Sequence, residues 1–336
     1  GGGVRVLVTG ATGCVGSALA AHLIESGDAV RALVRVGADR GALPEKVEVV
    51  TGSLDDGEAL RVAVRGGVDV IYHAAAKVHD ADGEPAEFER VNVGGTRRLL
   101  DACDREGVAP RIVFFSTVAV YGEATPPEGV PEDAPPAPAT PYAETKLRGE
   151  ALVARWAEGA GTKAVVLRVA TVYGPRDRGN MARMLAAIGE GRFLLPGGGY
   201  NRKTCVAVET VARAARAAAV AASPPAMLVV ADPGGAYRLR DLAAEMARAL
   251  GASSPGKEVP VSVLRAAACG CEVLSRMLRR RPPLTRAQVK RLAADNVYQS
   301  RRMREIIEDS RCISLSDGMA RAVSSENAVP VRQRRR

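Results

Sequence analysis

A tyrosine and a lysine four residues apart, Tyr142 and Lys146, are the residues best suited to chemistry in this chain. Residues at this spacing lie on one face of a helix. A phenol with a pKa near 10 is a poor base at neutral pH, but a neighbouring ammonium favours the phenolate. The hydroxyl of Ser116 or Thr117 could bond a substrate oxygen and pass on the proton. The pattern predicts proton transfer at an alcohol or a ketone, although such a pair is often only an exposed helical contact.

A glycine-rich loop near the start of the chain favours the catalytic interpretation. It lies between a strand-like segment and a helical one, where glycine permits a tight turn and close approach of the backbone to a pyrophosphate. The N–H groups and positive dipole end of the helix attract the phosphates. The loop residues expected to contact the cofactor are Gly10, Thr12, Gly13, Cys14, Val15 and Gly16. A dinucleotide beside Tyr142 and Lys146 implies hydride transfer.

The residue type at the end of the second predicted strand indicates which nicotinamide cofactor is bound. An acidic residue there would bond the ribose 2′-hydroxyl of NAD, whereas this chain has Arg35, which could meet the 2′-phosphate of NADP. The cofactor is therefore predicted to be NAD(P), with NADP slightly favoured; an ordinary surface arginine is the alternative. Asp55 is placed to bond the adenine amine, or alternatively to cap a helix.

Strand-like and helical segments alternate along the chain. The strand-like segments are Val4–Thr9, Ala29–Arg35, Val47–Val50, Val68–His73, Arg111–Ser116, Val165–Val169 and Met227–Ala231. The helical segments are Cys14–Ser26, Ala86–Arg105, Pro141–Glu158, Ala207–Ala222, Leu239–Leu250 and Arg286–Ala294. Such alternation predicts the α/β class, with a Rossmann-type doubly wound parallel sheet.

The domain organisation is predicted from where this alternation weakens. Residues 1–175 form the dinucleotide-binding core, and residues 205–232 return to it. Residues 176–204 and 233–328 form a smaller C-terminal substrate-binding lobe. Residues 329–336 are expected to be a disordered basic tail.

The net charge of +9 is concentrated in residues 259–336, which contain 17 Lys or Arg and 7 Asp or Glu. No aromatic residues alternate with these charges to stack on bases, so nucleic acid is not expected as a partner. The long apolar segments carry charges, so no membrane partner is expected. No signal peptide is visible, and the expected location is the cytoplasm. The six scattered cysteines and three histidines do not predict a metal site.

Taken together, these motifs resemble the extended short-chain dehydrogenase/reductases, the NAD(P)-dependent epimerase/dehydratase family. The matching segments are the glycine loop, Leu54-Asp55, His73-Ala74-Ala75-Ala76, Asn92, Ser116-Thr117 and Tyr142-Ala-Glu-Thr-Lys146.

The resemblance implies a role for each matching residue. Tyr142 would be the base, Lys146 would position the nicotinamide ribose, and Thr117 would be the catalytic hydroxyl with Ser116 beside it. Asn92 would support the active-site backbone. The residues that would line the cofactor besides the loop are Arg35, Leu54, Asp55, Ala74, Ala75, Ala76, Asn92, Tyr142 and Lys146. Related proteins form homodimers, so a homodimer is expected.

Within that family, the chain is most similar to enzymes of nucleotide-linked sugars. By this resemblance Lys77, Thr117 and Tyr142 would contact the substrate, and Arg202 would hold its diphosphate. The first hypothesis is C4 epimerisation of a UDP-hexose through a 4-keto intermediate. The alternatives are NADPH-dependent reduction of a 4-keto nucleotide sugar or of a non-sugar ketone, and a nucleotide-sensing or nucleic-acid-binding protein that keeps the fold. Val118 and Ala119 replace the acidic pair of the family's dehydratases, which disfavours dehydration.

Overall fold

The computed structural model describes residues 3–78, 84–122, 125–278, 280, 282 and 284–324. Its strands, in chain order, are β1 (Arg5–Thr9), β2 (Ala29–Val34), β3 (Glu48–Thr51), β4 (Val70–His73), β5 (Arg111–Thr117), β6 (Ala164–Val169), β7 (Thr171–Tyr173), β8 (Leu194–Pro196), β9 (Arg202–Ala207), β10 (Met227–Val230), β11 (Ala236–Arg238) and β12 (Lys257–Val259).

Helices cover both faces of the main sheet, and further helices alternate with short strands in the second half of the chain. They are α1 (Cys14–Glu25), α2 (Gly57–Val64), α3 (Pro85–Phe88), α4 (Gly95–Arg105), α5 (Pro141–Gly159), α6 (Asn180–Gly189), α7 (Val208–Val220), α8 (Leu239–Leu250), α9 (Val261–Met277), α10 (Arg286–Ala293) and α11 (Leu315–Ser324). A π-helical segment, Glu89–Gly94, joins α3 to α4.

The main sheet confirms the predicted Rossmann-type α/β fold. Within the described residues it has seven strands in the order β10-β6-β5-β4-β1-β2-β3, and every pairing is parallel. Strand order reverses between β1 and β4, so the crevice for a ligand opens at the carboxyl ends of these two strands. Near-continuous apolar strands such as β5 are buried because helices cover both faces.

The strands and helices expected from the sequence are present, with ends that differ by one or two residues. The predicted helix Ala86–Arg105 contains the π-helical segment, in which one extra residue widens a turn. Other elements carried no clear periodic signal. The strands β7, β8, β11 and β12 have three residues each, too few for an alternating pattern.

Two smaller sheets and a separate apolar cluster lie outside the main sheet. The strand β9 pairs with β7 and β11, whereas β12 pairs with β8. A cluster built around Met184, Leu242 and Met246 packs α6 against α8. In contrast, α7 packs on α1 and β10 joins the main sheet beside β6. The division into a core and a substrate-binding lobe stays a prediction, and the proposed basic tail lies outside the described residues.

The described residues contain neither a membrane-spanning helix nor a metal-binding cluster. No described helix is both long and apolar enough to cross a membrane. Across the same part of the chain, no three His, Cys, Asp or Glu side chains come together where they could hold a metal ion.

Candidate active site

The glycine loop leaves no room for side chains at two of its three glycines. Gly10 has a φ of 74°, and a Cβ there would lie 2.7 Å from the backbone nitrogen of Ala75. A Cβ at Gly16 would overlap the carbonyl oxygen of Gly10, whereas one at Gly13 would lie 3.3 Å from that atom. The loop is therefore held tightly between the start of α1 and the chain that follows β4.

The start of α1 fits the phosphates of a dinucleotide. Gly13 is the N-cap residue, no side chain caps the helix, and its first turn has no acidic residue. The N–H groups and dipole at this end are therefore available to an anion. Thr12, Cys14 and Val15 are partly exposed around this end. Burial raises the pKa of the Cys14 thiol to about 12, and its Sγ donates to the carbonyl of Pro175, so Cys14 stays protonated.

A buried chain of hydrogen bonds ties β1 to β4 and to the π-helical segment. The Ala75 nitrogen donates to Thr9 Oγ1, which lies 2.8 Å from His73 Nδ1. His73 Nε2 lies 2.9 Å from Thr96 Oγ1, which donates to the Asn92 carbonyl. Burial lowers the pKa of His73 to about 3, so the ring is neutral. His73 therefore positions the segment Ala74–Ala76, which is half-buried beside the glycine loop.

Asn92 holds the backbone of the predicted substrate side of the site. Its amide bonds both the N–H and the carbonyl of Lys77, at 2.8 and 3.1 Å, and donates to Thr145 Oγ1. The π-helical turn carries Asn92 into this position. The Lys77 ammonium lies 3.1 Å from a carboxylate oxygen of Glu87, so the predicted substrate contact is part of an ion pair here.

Tyr142, Thr117 and Lys146 come together at the carboxyl end of β5. The hydroxyl of Thr140 caps α5, and Pro141 follows at the first helical position, which starts the helix just before Tyr142. The Thr117 hydroxyl lies close enough to the Tyr142 phenol to lower its pKa. Lys146 is buried, and its ammonium lies 4.2 Å from the centre of the Phe114 ring.

Burial sets the protonation of this group. It raises the pKa of Tyr142 to about 12, against the opposing effect of the Thr117 hydroxyl. Burial also lowers the pKa of Lys146 to about 7, which the nearby Glu150 carboxylate partly offsets. Tyr142 therefore keeps its proton at neutral pH, and the expected phenolate is not a property of the protein alone.

Ser116 faces away from this group. Its hydroxyl donates to Glu150, whose carboxylate also forms a buried ion pair with Arg168 at 2.7 Å. The Arg168 guanidinium in turn lies over the ring of Tyr121. The structure thus separates the two hydroxyls that the sequence left as alternatives, because Thr117 lies beside Tyr142 and Ser116 donates to Glu150. Sequence reasoning missed Glu150 and Arg168, although Glu150 lies one helical turn after Lys146.

The predicted adenine end of the site is rich in arginine. Arg35 is exposed just after β2, and within the described residues its side chain forms no hydrogen bond or ion pair. Arg90 and Arg98 both donate to the Asp55 carboxylate. Arg98 also donates to the backbone carbonyl of the buried Leu54. The alternative role of Asp55 as a helix cap is wrong, because Asp56 caps α2.

Arg202 and its neighbour Lys203 are bonded within the protein. The Arg202 guanidinium donates to the carbonyl of Pro127. The Lys203 ammonium donates to the carbonyls of Arg291 and Ala294 and to the Asn296 side chain, at 2.9, 2.7 and 2.7 Å. The cation predicted to hold a diphosphate thus has a partner before any ligand binds.

Comparison with known proteins shows the family of this chain. A family model for the NAD dependent epimerase/dehydratase family matches residues 6–231. The chain is 31% identical to the 2-alkyl-3-oxoalkanoate reductase of Stenotrophomonas maltophilia, over 97% of this chain and 100% of that protein. It is 37% identical to the UDP-glucose 4-epimerase of Streptomyces lividans, over 51% of this chain and 53% of that protein. A solved structure of MoeE5 with UDP-glucose and NAD superposes with a TM-score of 0.72 at 26% identity, covering 95% and 97% of the two chains.

Proposed function

Because the chain belongs to the NAD-dependent epimerase/dehydratase family, we propose that it reduces the ketone of a non-sugar substrate with a hydride from a nicotinamide cofactor. The protein is an NAD(P)-dependent enzyme of the extended short-chain dehydrogenase/reductase type. The choice of a non-sugar ketone departs from the first hypothesis of the sequence, a UDP-hexose C4 epimerase. It takes up one of the alternatives that the sequence left open.

The engagement of Arg202 is the observation that carries the choice of substrate. The Arg202 guanidinium donates from one Nη to the Pro127 carbonyl, which leaves fewer of its N–H donors for a diphosphate. Lys203 cannot replace it, because its ammonium is already bonded to three oxygen atoms. A neutral or weakly charged ketone needs neither cation. The reductase relative, which the chain matches over its full length, supports the same choice.

The residues at the end of β5 suit the proton step of such a reduction. When bound, the nicotinamide supplies the hydride to the carbonyl carbon. Tyr142 keeps its proton at neutral pH and donates it to the carbonyl oxygen as negative charge develops there. Thr117 orients the Tyr142 hydroxyl and can bond the same substrate oxygen. Lys146, at a pKa of about 7, is half-charged near neutrality and can return a proton to the tyrosine.

NADPH consumption is the experiment that tests the proposal. A 2-alkyl-3-oxo acid as probe should be reduced, and Tyr142→Phe should lower kcat by about 10³-fold. Tyr72→Phe is the matched control, because Tyr72 lies in the core of β4. Interconversion of UDP-glucose and UDP-galactose without ketone reduction would contradict the choice of substrate. Normal turnover by Tyr142→Phe would contradict the choice of acid.

UDP-hexose C4 epimerisation is the second candidate. The likeness of about half of the chain to a UDP-glucose 4-epimerase favours it, as does the likeness of the fold to MoeE5 with UDP-glucose and NAD. An epimerase keeps its cofactor through the cycle, whereas a reductase must exchange it. Denaturing the purified protein and identifying released nucleotide by mass spectrometry separates the two. Stoichiometric NAD supports epimerisation, and an empty site that prefers NADPH supports reduction.

Cofactor preference and assembly complete the proposal. Arg35 supports NADP, since its exposed guanidinium follows the strand next to the glycine loop.

A homodimer is proposed through α4 and α5, which lie side by side, with Trp156 Nε1 donating to Asp104 at 2.8 Å. Light scattering in solution would test the dimer. Location in the cytoplasm stays a prediction from the sequence.

A further inference from the structure

One helix, α9, turns a large apolar face away from the protein. Among the described residues, eleven large apolar side chains are exposed, and five of them lie between residues 263 and 278. They are Val263, Val273, Leu274, Met277 and Leu278, with exposed fractions from 52% to 77%. Scattered exposed apolar residues are ordinary, but a contiguous group marks an interaction surface.

The exposed side chains form one continuous stripe. At 100° per residue, these five positions fall within an arc of about 140°. The small residues Ala266, Ala267 and Gly270 lie in the same arc and extend the stripe along four turns. Leu264 and Ala268 lie outside it and pack against Val289 of α10. The helix thus has one apolar face that holds it to the protein and a second apolar face that covers nothing in the described chain.

Positive charge runs along one edge of this stripe. Arg265 and Arg276 are exposed on the side of α9 next to Val273, and Arg280 is exposed just beyond the helix. Glu272 is the only acidic residue in α9, and it is paired with Arg286. An apolar face bordered by arginines is complementary to a bilayer of anionic lipids, which offers acyl chains below a layer of negative headgroups.

We propose that α9 lies flat in the surface of an anionic lipid bilayer, with the apolar stripe at the level of the acyl chains and the arginines on the headgroups. This differs from the expectation of no membrane partner, which considered only segments that cross a bilayer. It is also separate from the dimer proposed above, which uses α4 and α5. The proposal does not depend on the reaction, because it uses no residue of the candidate active site.

The helix is firmly attached to the part of the chain that carries Arg202 and Lys203. The side chains of α9 pack on α10, and the carbonyls of Arg291 and Ala294 at the end of α10 accept hydrogen bonds from Lys203. Binding of α9 to a surface therefore fixes the whole enzyme on that surface.

Vesicle flotation of the full-length protein tests this proposal. The probes are phosphatidylcholine vesicles with and without phosphatidylglycerol. The protein should float with the anionic vesicles, and salt should weaken the binding because it screens the arginines. The double variant Leu274→Ser with Met277→Ser should bind at least about tenfold more weakly, since it removes two apolar side chains from the interface. Val62→Ser is the matched control, because Val62 is an exposed valine on another helix, α2.

Three results would overturn the proposal. The first is a wild-type protein that floats with neither kind of vesicle. The second is a folded double variant, with an unchanged circular dichroism melt, that floats as well as the wild type. The third is a double variant whose mass, measured by light scattering, differs from that of the wild type, while neither protein binds vesicles. That result would mean that a second copy of the chain covers the stripe.

Discussion

A buried lysine and a half-buried one, in different regions of this molecule, have very different surroundings. Lys146 lies in the core, over the ring of Phe114, and donates no hydrogen bond to any described residue. Lys203 is the second residue of β9 and donates to three oxygen atoms at the end of α10 and just after it. Burial lowers the pKa of both, to about 7 for Lys146 and about 8 for Lys203.

We infer from this difference that the Lys146 ammonium is available to a ligand, whereas the Lys203 ammonium stabilises the fold. A buried ammonium is costly unless hydrogen bonds compensate for the lost water. At Lys203 that compensation is complete within the protein. The Lys146 ammonium has no such hydrogen bonds within the described chain. A cofactor ribose that binds beside Tyr142 and Thr117 could supply them. A lowered pKa alone would not have distinguished the two lysines.

Replacing each lysine by methionine gives the largest expected effects. We expect Lys146→Met to lower kcat by about 10²- to 10³-fold and to leave the melting temperature unchanged or higher, because it removes an uncompensated buried charge. Lys203→Met should destabilise the fold by about 2 kcal/mol, since it removes three hydrogen bonds that tie β9 to the end of α10. Ketone-reduction kinetics and thermal melts of the two variants measure this. Equal loss of stability in both would remove the distinction.

The pH dependence of stability sharpens the same comparison. The pKa of Lys146 is about 7 when folded and has an ordinary value of 10.5. The unfolded chain therefore binds more protons than the folded one between these values. The contribution of Lys146 to the free energy of unfolding should rise by about 1.4 kcal/mol per pH unit across this window and stay flat below it. Urea unfolding of wild type and Lys146→Met, at about pH 6 and about pH 9, measures the difference. A constant difference would contradict the lowered pKa.

Thr117 and Ser116 offer a smaller test within the core. Thr117→Val should lower kcat by about 10²-fold, because it removes the hydroxyl beside Tyr142. Ser116→Ala should lower kcat by less than about threefold and instead cost about 1 kcal/mol of stability, because it removes a donor to the buried Glu150. A larger kinetic effect from Ser116→Ala would return Ser116 to the catalytic group.

Arg35 gives the smallest expected effect. Arg35→Ala should raise KM for NADPH about tenfold and leave KM for NADH unchanged, because one charged contact to the 2′-phosphate is lost. Arg155→Ala, at an exposed arginine of α5, is the control. Equal effects on both cofactors would remove the argument for NADP.

The glycine loop and the start of α5 could be located from the sequence because their signals are local. Gly10 has a positive φ, which favours glycine, and Thr140 followed by Pro141 marks the start of a helix. Each signal can be recognised from a few consecutive residues. Six helical segments and the strands of the main sheet were placed almost to their ends, whereas α2, α6, α9 and α11 were not predicted. The three-residue strands around β9 have no period and were not predicted either.

The chain by itself thus determined the fold, the family and the segment that carries Tyr142 and Lys146. Only the tertiary structure decided what each polar group is bonded to. Ser116 meets Glu150 across 34 residues, and Arg202 meets Pro127 across 75. Such partners depend on how distant segments pack, and no spacing along the chain encodes them. That is why the fold and the family were predictable, while the distinction between free and engaged cations, and with it the proposed substrate, was not.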